Sequence, residues 1–234
     1  MVLNGYTSIM KKEIILLLII VIGVCLICGC STTPQPPSTA EPTSAMKTVL
    51  YSDDLSQLRS EWQSEYDDTD GKIFYSGGSL HIRDNDPPGV NRVKMVYTLN
   101  KNFNDFILDV DTKLIAGPVK NWQGVDLRLQ DDNYYGVQIS ADGKYSIYKV
   151  EKGNLISLIG GPTQSSYIST GIGATNHIHI EANKNTLSLS VNGHQIRNVT
   201  DNAFKEGTVE LSSTCLTSNS FNEVAFSNLV ITTI

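Results

Sequence analysis

The sequence predicts an all-β protein built as a two-sheet antiparallel β-sandwich. Three observations carry that expectation: short runs alternate apolar and polar side chains in twos, clusters of Gly, Asn, Asp and Ser separate them, and no stretch repeats its apolar residues at helical spacing. About a dozen such runs recur after residue 48, the pattern of a sandwich or jelly roll.

The stretch 104–150 shows the alternation most clearly. Phe106, Leu108 and Val110 face one way while Ile107, Asp109, Asp111 and Lys113 face the other, and Val125, Leu127 and Leu129 stand opposite Asp126 and Arg128. Tyr135, Val137 and Ile139 then alternate with Tyr134, Gly136, Gln138 and Ser140, and an Asp142-Gly143 turn leads into a return arm over 145–150. The expectation is one four-stranded meander, apolar on one face and carrying Asp109, Asp111, Asp126, Arg128, Tyr134 and Gln138 on the other. Further strands are expected over 80–83, 93–99, 155–159, 177–182, 186–191, 195–199, 208–212 and 223–232. Asn192-Gly193 marks a tight hairpin, because both residues tolerate positive φ.

The first segment is an address rather than part of the fold. Lys11 and Lys12 precede an unbroken apolar run over 14–28 that stops at Gly29-Cys30-Ser31, the layout of a secretory signal peptide over 1–29, with Met10 the better start. Leu26-Ile27-Cys28-Gly29-Cys30 resembles the lipobox of prokaryotic lipoproteins. That resemblance implies that Cys30 is the lipidated first residue of the mature chain and anchors it in a membrane. The alternative is a retained transmembrane anchor; either places the remainder outside the cytoplasm, at the outer face of the cell envelope. Residues 30–47 form the lipidated end and a Pro/Ser/Thr-rich tether, with Pro34, Pro36, Pro37 and Pro42 and almost nothing apolar to bury. Residues 48–234 form the domain, a usual size for one β-sandwich and enough to bury roughly 70% of the unfolded surface.

Composition narrows the partners. Cys25, Cys28 and Cys30 fall in the address segment, so Cys215 is alone in the domain and no disulfide can form within it. Residues 48–234 carry 15 basic and 22 acidic side chains, about −7 net, and no basic run to grip a phosphate backbone. Nucleic acid is therefore not an expected partner; a neutral ligand or a cation suits the balance better.

Several ordered pieces carry a family resemblance. They are Ser52-Asp53-Asp54-Leu55 with Trp62, the Asp105-Phe106-x-Leu108-Asp109-Val110-Asp111 run and Gly117-Pro118. Further along come Arg128-x-x-Asp131-x-Asn133-Tyr134-Tyr135, Asp142-Gly143-x-Tyr145, Val191-Asn192-Gly193, Asp201-x-x-Phe204-x-x-Gly207 and Val224-x-Phe226-Ser227-Asn228. Together they resemble the concanavalin A-like lectin/glucanase jelly roll, in particular modules related to the 3-keto-disaccharide hydrolase domain and to laminin G-like domains. The resemblance implies a jelly-roll sandwich whose relatives include lectins, glycosidases, adhesive modules and spacers.

A sugar site needs a flat aromatic ring and planar polar groups that satisfy several hydroxyls. Trp122, on the loop feeding the Arg128 strand, and Tyr134 are expected to stack on the sugar; Arg128, Gln138 and Asp111, with Asp109 beside it, are expected to bond its hydroxyls. The competing expectation is a solvated sheet on which Asp111 and Arg128 form a cross-strand ion pair. Asp109 and Asp111 lie about 7 Å apart along a strand, near the spacing of glycosidic cleavage. However, the further acid of laminarinase-type relatives is missing from Thr112, Lys113 and Leu114, and no catalytic residue can be assigned. His177, His179 and Glu181 share one side of a strand but do not converge as zinc ligands do. No metal ligand is assigned, although Asp53-Asp54, Asp84-Asn85-Asp86, Asp131-Asp132-Asn133 and Asp201-Asn202 offer hard oxygens of the kind a structural calcium takes, Ser227 replacing one such ligand of the relatives. GxSxG, HExxH, phosphate-loop and dinucleotide fingerprints are absent; Asn198-Val199-Thr200 is a glycosylation sequon. The expected function is a cell-envelope lipoprotein with a non-catalytic carbohydrate-binding domain. The alternatives are a glycoside-acting enzyme of the 3-keto-disaccharide hydrolase or glucanase type and a structural or protein-adhesion module.

Overall fold

The computed structural model describes residues 46–63, 65–86, 94–216 and 220–234. The signal segment, Cys30 and nearly all of the tether lie outside these residues. From Ala45 to Ile234 the chain is one compact unit. Its strands in chain order are β1 (Val49–Asp53), β2 (Tyr66–Asp67), β3 (Gly71–Ser76), β4 (Ser79–Asp86), β5 (Lys94–Phe103), β6 (Phe106–Ala116), β7 (Trp122–Gln130), β8 (Asn133–Ser140), β9 (Lys144–Glu151), β10 (Asn154–Ser157), β11 (Thr163–Gln164), β12 (Thr175–Asn183), β13 (Thr186–Val191), β14 (His194–Thr200), β15 (Gly207–Thr214) and β16 (Ser220–Thr232). No helix occurs among the described residues.

Two antiparallel sheets make the sandwich. One has nine strands, ordered β14-β13-β12-β6-β16-β4-β3-β2 with β1 beside β16; the other has seven, ordered β10-β9-β8-β7-β15-β5 with β11 beside β9. The period-two pattern explains the packing. Phe106, Leu108, Val110, Ile178 and Ile180 of the first sheet meet Val125, Leu127, Tyr135, Val137 and Ile147 of the second in one buried layer, all 1% exposed or less. Both expected tight turns form. Asn192 and Gly193 have φ of 52° and 79°, as a type I′ hairpin requires, and the Gly143 amide donates to the Ser140 carbonyl at 3.0 Å.

Two features depart from the expected meander. Of its four strands only β7, β8 and β9 lie side by side; β6 lies in the other sheet, between β12 and β16. The crossing starts at Gly117, where φ is +117° and a Cβ would stand 2.5 Å from the Phe221 carbonyl oxygen, so only glycine can turn this corner. Alternation alone cannot register the crossing, because a strand of either sheet buries one apolar side against the shared core. The short strands β1, β2, β3 and β11 also lack the contrast that revealed the others; in β3 only Gly71 and Ile73 are buried.

Arg128 is the second departure. Its φ of 53° interrupts β7, the β7–β8 register shifts between Leu127 and Gln130, and the side chain turns inward instead of following Asp126 outward. It is 1% exposed. Its Nε donates to the Asn104 carbonyl at 3.1 Å, one Nη to the carbonyls of Lys184 (2.8 Å) and Phe204 (3.1 Å), and the other to Asp105 Oδ1 at 3.0 Å and the Ala182 carbonyl at 3.4 Å. The five-donor guanidinium thus ties the β5–β6 turn, the β12–β13 turn and the β14–β15 connection to the end of β7. The expected roles of Arg128 as a sugar-binding group and as a partner of Asp111 are corrected: it is an internal clamp. Replacing it with methionine keeps the bulk but strands these acceptors. Urea unfolding should show Arg128→Met less stable by about 3–5 kcal/mol, and a loss under about 1 kcal/mol would contradict the clamp.

Candidate functional site

The outward side of the seven-stranded sheet is where polar and aromatic residues gather. Alternation puts Trp122, Gly124 and Asp126 of β7 there, with Tyr134, Gly136 and Gln138 of β8, Ser146 and Tyr148 of β9, Thr214 of β15 and Lys94 of β5. The glycines make room for the rings. A Cβ on Gly136 would sit 2.1 Å from Tyr148 Cζ, and one on Gly124 would sit 2.7 Å from Gln138 Cγ. Tyr148 therefore lies down over Gly136, and its hydroxyl accepts a 3.0 Å hydrogen bond from Gln138 Nε2. The same amide reaches Thr214 Oγ1 at 3.4 Å, and the rings of Tyr134 and Tyr148 meet edge to face at 6.3 Å.

These side chains floor a groove of about 410 Å³. Its lining runs across the sheet from Leu155 and Ser157 on β10, over Tyr148, Gln138, Trp122 and Thr214, to Lys94 on β5. Tyr134 is half-buried and is the more open ring; Trp122 and Gln138 sit deeper, at 9% and 6% exposed. Lys94 ends the floor: its ammonium pairs with the Asp126 carboxylate, donates to the Tyr134 hydroxyl at 3.2 Å and stands 4.4 Å from the centre of that ring. Burial works against the Lys94 charge, but Asp126 and Tyr134 outweigh it and hold the ammonium above the ordinary lysine pKa. Asp126 is fully buried, and its Oδ1 has no hydrogen-bond partner among the described residues. Burial, which Lys94 offsets only in part, pushes the Asp126 carboxyl up, and it also pushes the neighbouring Glu210 carboxyl up, although Thr98 donates to it at 2.7 Å.

Of the residues expected to form one site, the structure brings together Trp122, Tyr134 and Gln138. Trp122 is the first residue of β7 rather than part of a feeding loop. Arg128 is internal. Asp109 and Asp111 lie on the nine-stranded sheet, on the opposite side of the sandwich from the groove, and this corrects their assignment to the same face as Tyr134. There they engage β12: His177 places one ring nitrogen 2.8 Å from Asp111 Oδ1 and the other 3.0 Å from Asp109 Oδ1, and His179 Nδ1 is 2.7 Å from the same Asp109 oxygen. Asn228 Nδ2 donates to Asp111 Oδ2 at 2.8 Å. The groove residues not anticipated include Lys94, Thr214 and Tyr148. Tyr148 was within reach of the alternation, since it follows Ser146 on the outward side of the return arm; Lys94 and Thr214 required the strand order.

Two of the four oxygen-rich loop clusters spend their carboxylates on protein donors. Asp53 accepts from Tyr51 Oη (3.0 Å), the Leu55 amide (2.8 Å) and Trp62 Nε1 (2.8 Å), and Asp201 accepts from Tyr135 Oη (2.7 Å), the Ala203 amide (2.9 Å) and Lys149 (3.0 Å). Oxygens turned toward N–H and O–H donors do not make a calcium cage. Among the described residues, no three His, Cys, Asp or Glu side chains are grouped so as to hold a metal.

Residues 52–232 match the family model of a 3-keto-alpha-glucoside-1,2-lyase-like domain. Among curated proteins, none matches the sequence. Solved structures share the jelly-roll fold at low identity. A carbohydrate-binding module, CBM66, from Bacillus subtilis superposes with a TM-score of 0.54 at 15% identity, over 73% of this chain and 94% of its own. A protein with a galectin-like fold, also from Bacillus subtilis, gives 0.59 at 13% identity, over 80% and 97%. An endo-β-galactosidase from Clostridium perfringens that releases GlcNAcα1-4Gal gives 0.60 at 9% identity, over 80% of this chain and 62% of that one.

The His177 cluster has a testable pH dependence. Burial works to lower the His177 pKa, but the hydrogen bonds and charges of Asp111 and Asp109 outweigh it and raise the pKa above the ordinary value of about 6.5. Its stabilising contribution is therefore fully present below about pH 6.5 and is lost as pH rises through the raised folded-state value. Partial exposure of the pair makes the effect small. Urea midpoints of wild type and His177→Gln should differ most at pH 5.5 and converge at alkaline pH; a gap that widens as pH rises would refute the ion-pair assignment.

Proposed function

This chain belongs to the family of 3-keto-alpha-glucoside-1,2-lyase-like domains, and from that premise we propose that its sandwich is a carbohydrate-binding module seating a glycan in the groove of the seven-stranded sheet. The observation that carries the proposal is the composition of that groove. Tyr134 offers the open ring, with Trp122 and Tyr148 deeper, for the apolar face of a sugar; Gln138, Ser146, Ser157 and Thr214 offer amide and hydroxyl partners; and Lys94 offers a charge. No carboxylate lines the groove among the described residues. Hydrolysis by a carboxylate pair needs two such groups at the scissile bond, so binding fits the lining better than cleavage. The fold neighbours named as a carbohydrate-binding module and an endo-β-galactosidase support a saccharide as the ligand.

One pair favours a second function. Lys94 and Tyr134 set an ammonium and a phenol side by side on the groove floor, where the two donors could polarise the carbonyl of a 3-keto-glucoside, so that water takes the acidified C2 proton as the C1–O bond breaks and the departing oxygen takes a proton from water. Under this alternative the domain is a lyase of the kind the family description names.

The proposal also places the domain outside the cytoplasm, tethered by residues 31–45 to a lipid on Cys30. Incorporation of labelled palmitate should occur in the full chain and disappear in Cys30→Ser; label retained by the variant would remove the anchor.

Isothermal titration of the full chain in detergent against a glycan panel should find a binder. Tyr134→Ala should weaken it about tenfold, equivalent to about 1.4 kcal/mol, while Asp109→Asn on the far sheet should leave it unchanged. Absence of any binder, or affinity that drops with Asp109→Asn and not with Tyr134→Ala, would overturn the groove assignment. Turnover of a 3-keto-glucoside that vanishes in Lys94→Met would establish the lyase instead.

A further inference from the structure

We infer that the ligand site does not stop at Lys94 but continues over the edge of the sandwich into a second subsite, so that the ligand is an extended oligosaccharide and not one or two sugar units. The inference rests on the glycan-binding function proposed above and adds where the chain runs. The lining of the groove includes residues of β10, β9, β8, β7, β15 and β5, every strand on the main path of the seven-stranded sheet, so its long axis crosses the strands. The last of these, β5, is the sheet's edge. Lys94 is the wall at that end, and the same residue lines a second cavity of about 410 Å³. The second cavity occupies the seam between the two sheet edges: Val96 and Met95 of β5 form one side, and Gln63, Glu65, Tyr66 and Asp70, around β2 at the edge of the other sheet, form the opposite side.

The two cavities are of similar size, each within the range of about 300–1,000 Å³ usual for a small-molecule site, and they share Lys94 as a boundary. The seam has the parts a sugar unit uses: the Tyr66 ring, 39% exposed, and the Gln63 amide, with two carboxylates as hydroxyl acceptors. Its polarity differs from that of the groove. Glu65 and Asp70 make it acidic, in a chain already at −6, so a chain bearing uronates or sulfates is repelled there and a neutral chain is not. Lys94 gives one N–H to Asp126 beneath and one to Tyr134 beside it, which leaves one donor for a hydroxyl at the linkage that passes over it. The structure therefore assigns Tyr66 and Gln63 to a subsite that short ligands do not reach.

The test is the length dependence of affinity. Neutral gluco-, xylo- and galacto-oligosaccharides of increasing length are titrated against the full chain in detergent and against Tyr66→Ala and Gln63→Ala. For whichever series binds, affinity should rise about tenfold or more between the disaccharide and the tetrasaccharide. Both variants should remove that gain while leaving disaccharide affinity as in the wild type, a pattern that a folding defect would not produce. Disaccharide binding that is lost in Tyr134→Ala but shows no gain with length overturns the second subsite and leaves the groove standing. A gain with length that both variants retain also overturns it. Binding to no series would sink the groove itself and the extension with it.

Discussion

The groove depends on a buried charge being compensated in place. Asp126 lies entirely beneath the outward surface of the seven-stranded sheet, and taking a carboxylate out of water costs several kcal/mol unless a partner stands against it. Lys94 is that partner, and its position follows from the obligation: the ammonium must stay over Asp126, and from there it meets the hydroxyl and ring of Tyr134. The most open aromatic ring of the groove is thereby fixed by an interaction whose origin lies below it. Gln138 fixes the deeper layer in the same manner, by bonding the Tyr148 hydroxyl over the space left by Gly136. A floor held by these contacts is preorganised for a ligand with apolar faces and many hydroxyls.

The two outward faces of the sandwich have different chemistry because their charges are satisfied differently. On the nine-stranded sheet, Asp109 and Asp111 are engaged by His177, His179 and Asn228 across neighbouring strands, which ties β6 to β12 and to the β16 bulge at Asn228. On the outward side of the seven-stranded sheet the Lys94–Asp126 pair leaves amides, hydroxyls and rings along a groove. The end of the sandwich is a third environment. There Arg128 spends its donors on backbone carbonyls of three separate connections, which is why it holds structure and is not available to a ligand.

Much of this was legible in the sequence, and the rest was not for specific reasons. Alternation located most strands and correctly turned Tyr134 and Gln138 outward, because a half-buried strand must place every second side chain in the core. It failed at Arg128, where one residue with positive φ reverses the side that alternation assigns. It could not show that β6 leaves the meander for the other sheet, so two carboxylates from one face and two rings from the other looked like a single site. Lys94 went unnoticed because a residue on an edge strand becomes a neighbour of Tyr134 only through the order β8-β7-β15-β5, which is a property of the assembled sheet. The family resemblance supplied the fold, which residues 52–232 bear out, but it could not decide which face carries the ligand.

The central claim is that a saccharide lies on the outward side of the seven-stranded sheet. Amide chemical-shift mapping with a bound oligosaccharide tests it most directly. The account predicts that the shifts cluster at Lys94, Trp122, Tyr134, Gln138 and Tyr148 and leave His177 and His179 unmoved. Shifts confined to the Asp109–His177 side, or to the end of the sandwich around Lys184, would contradict it.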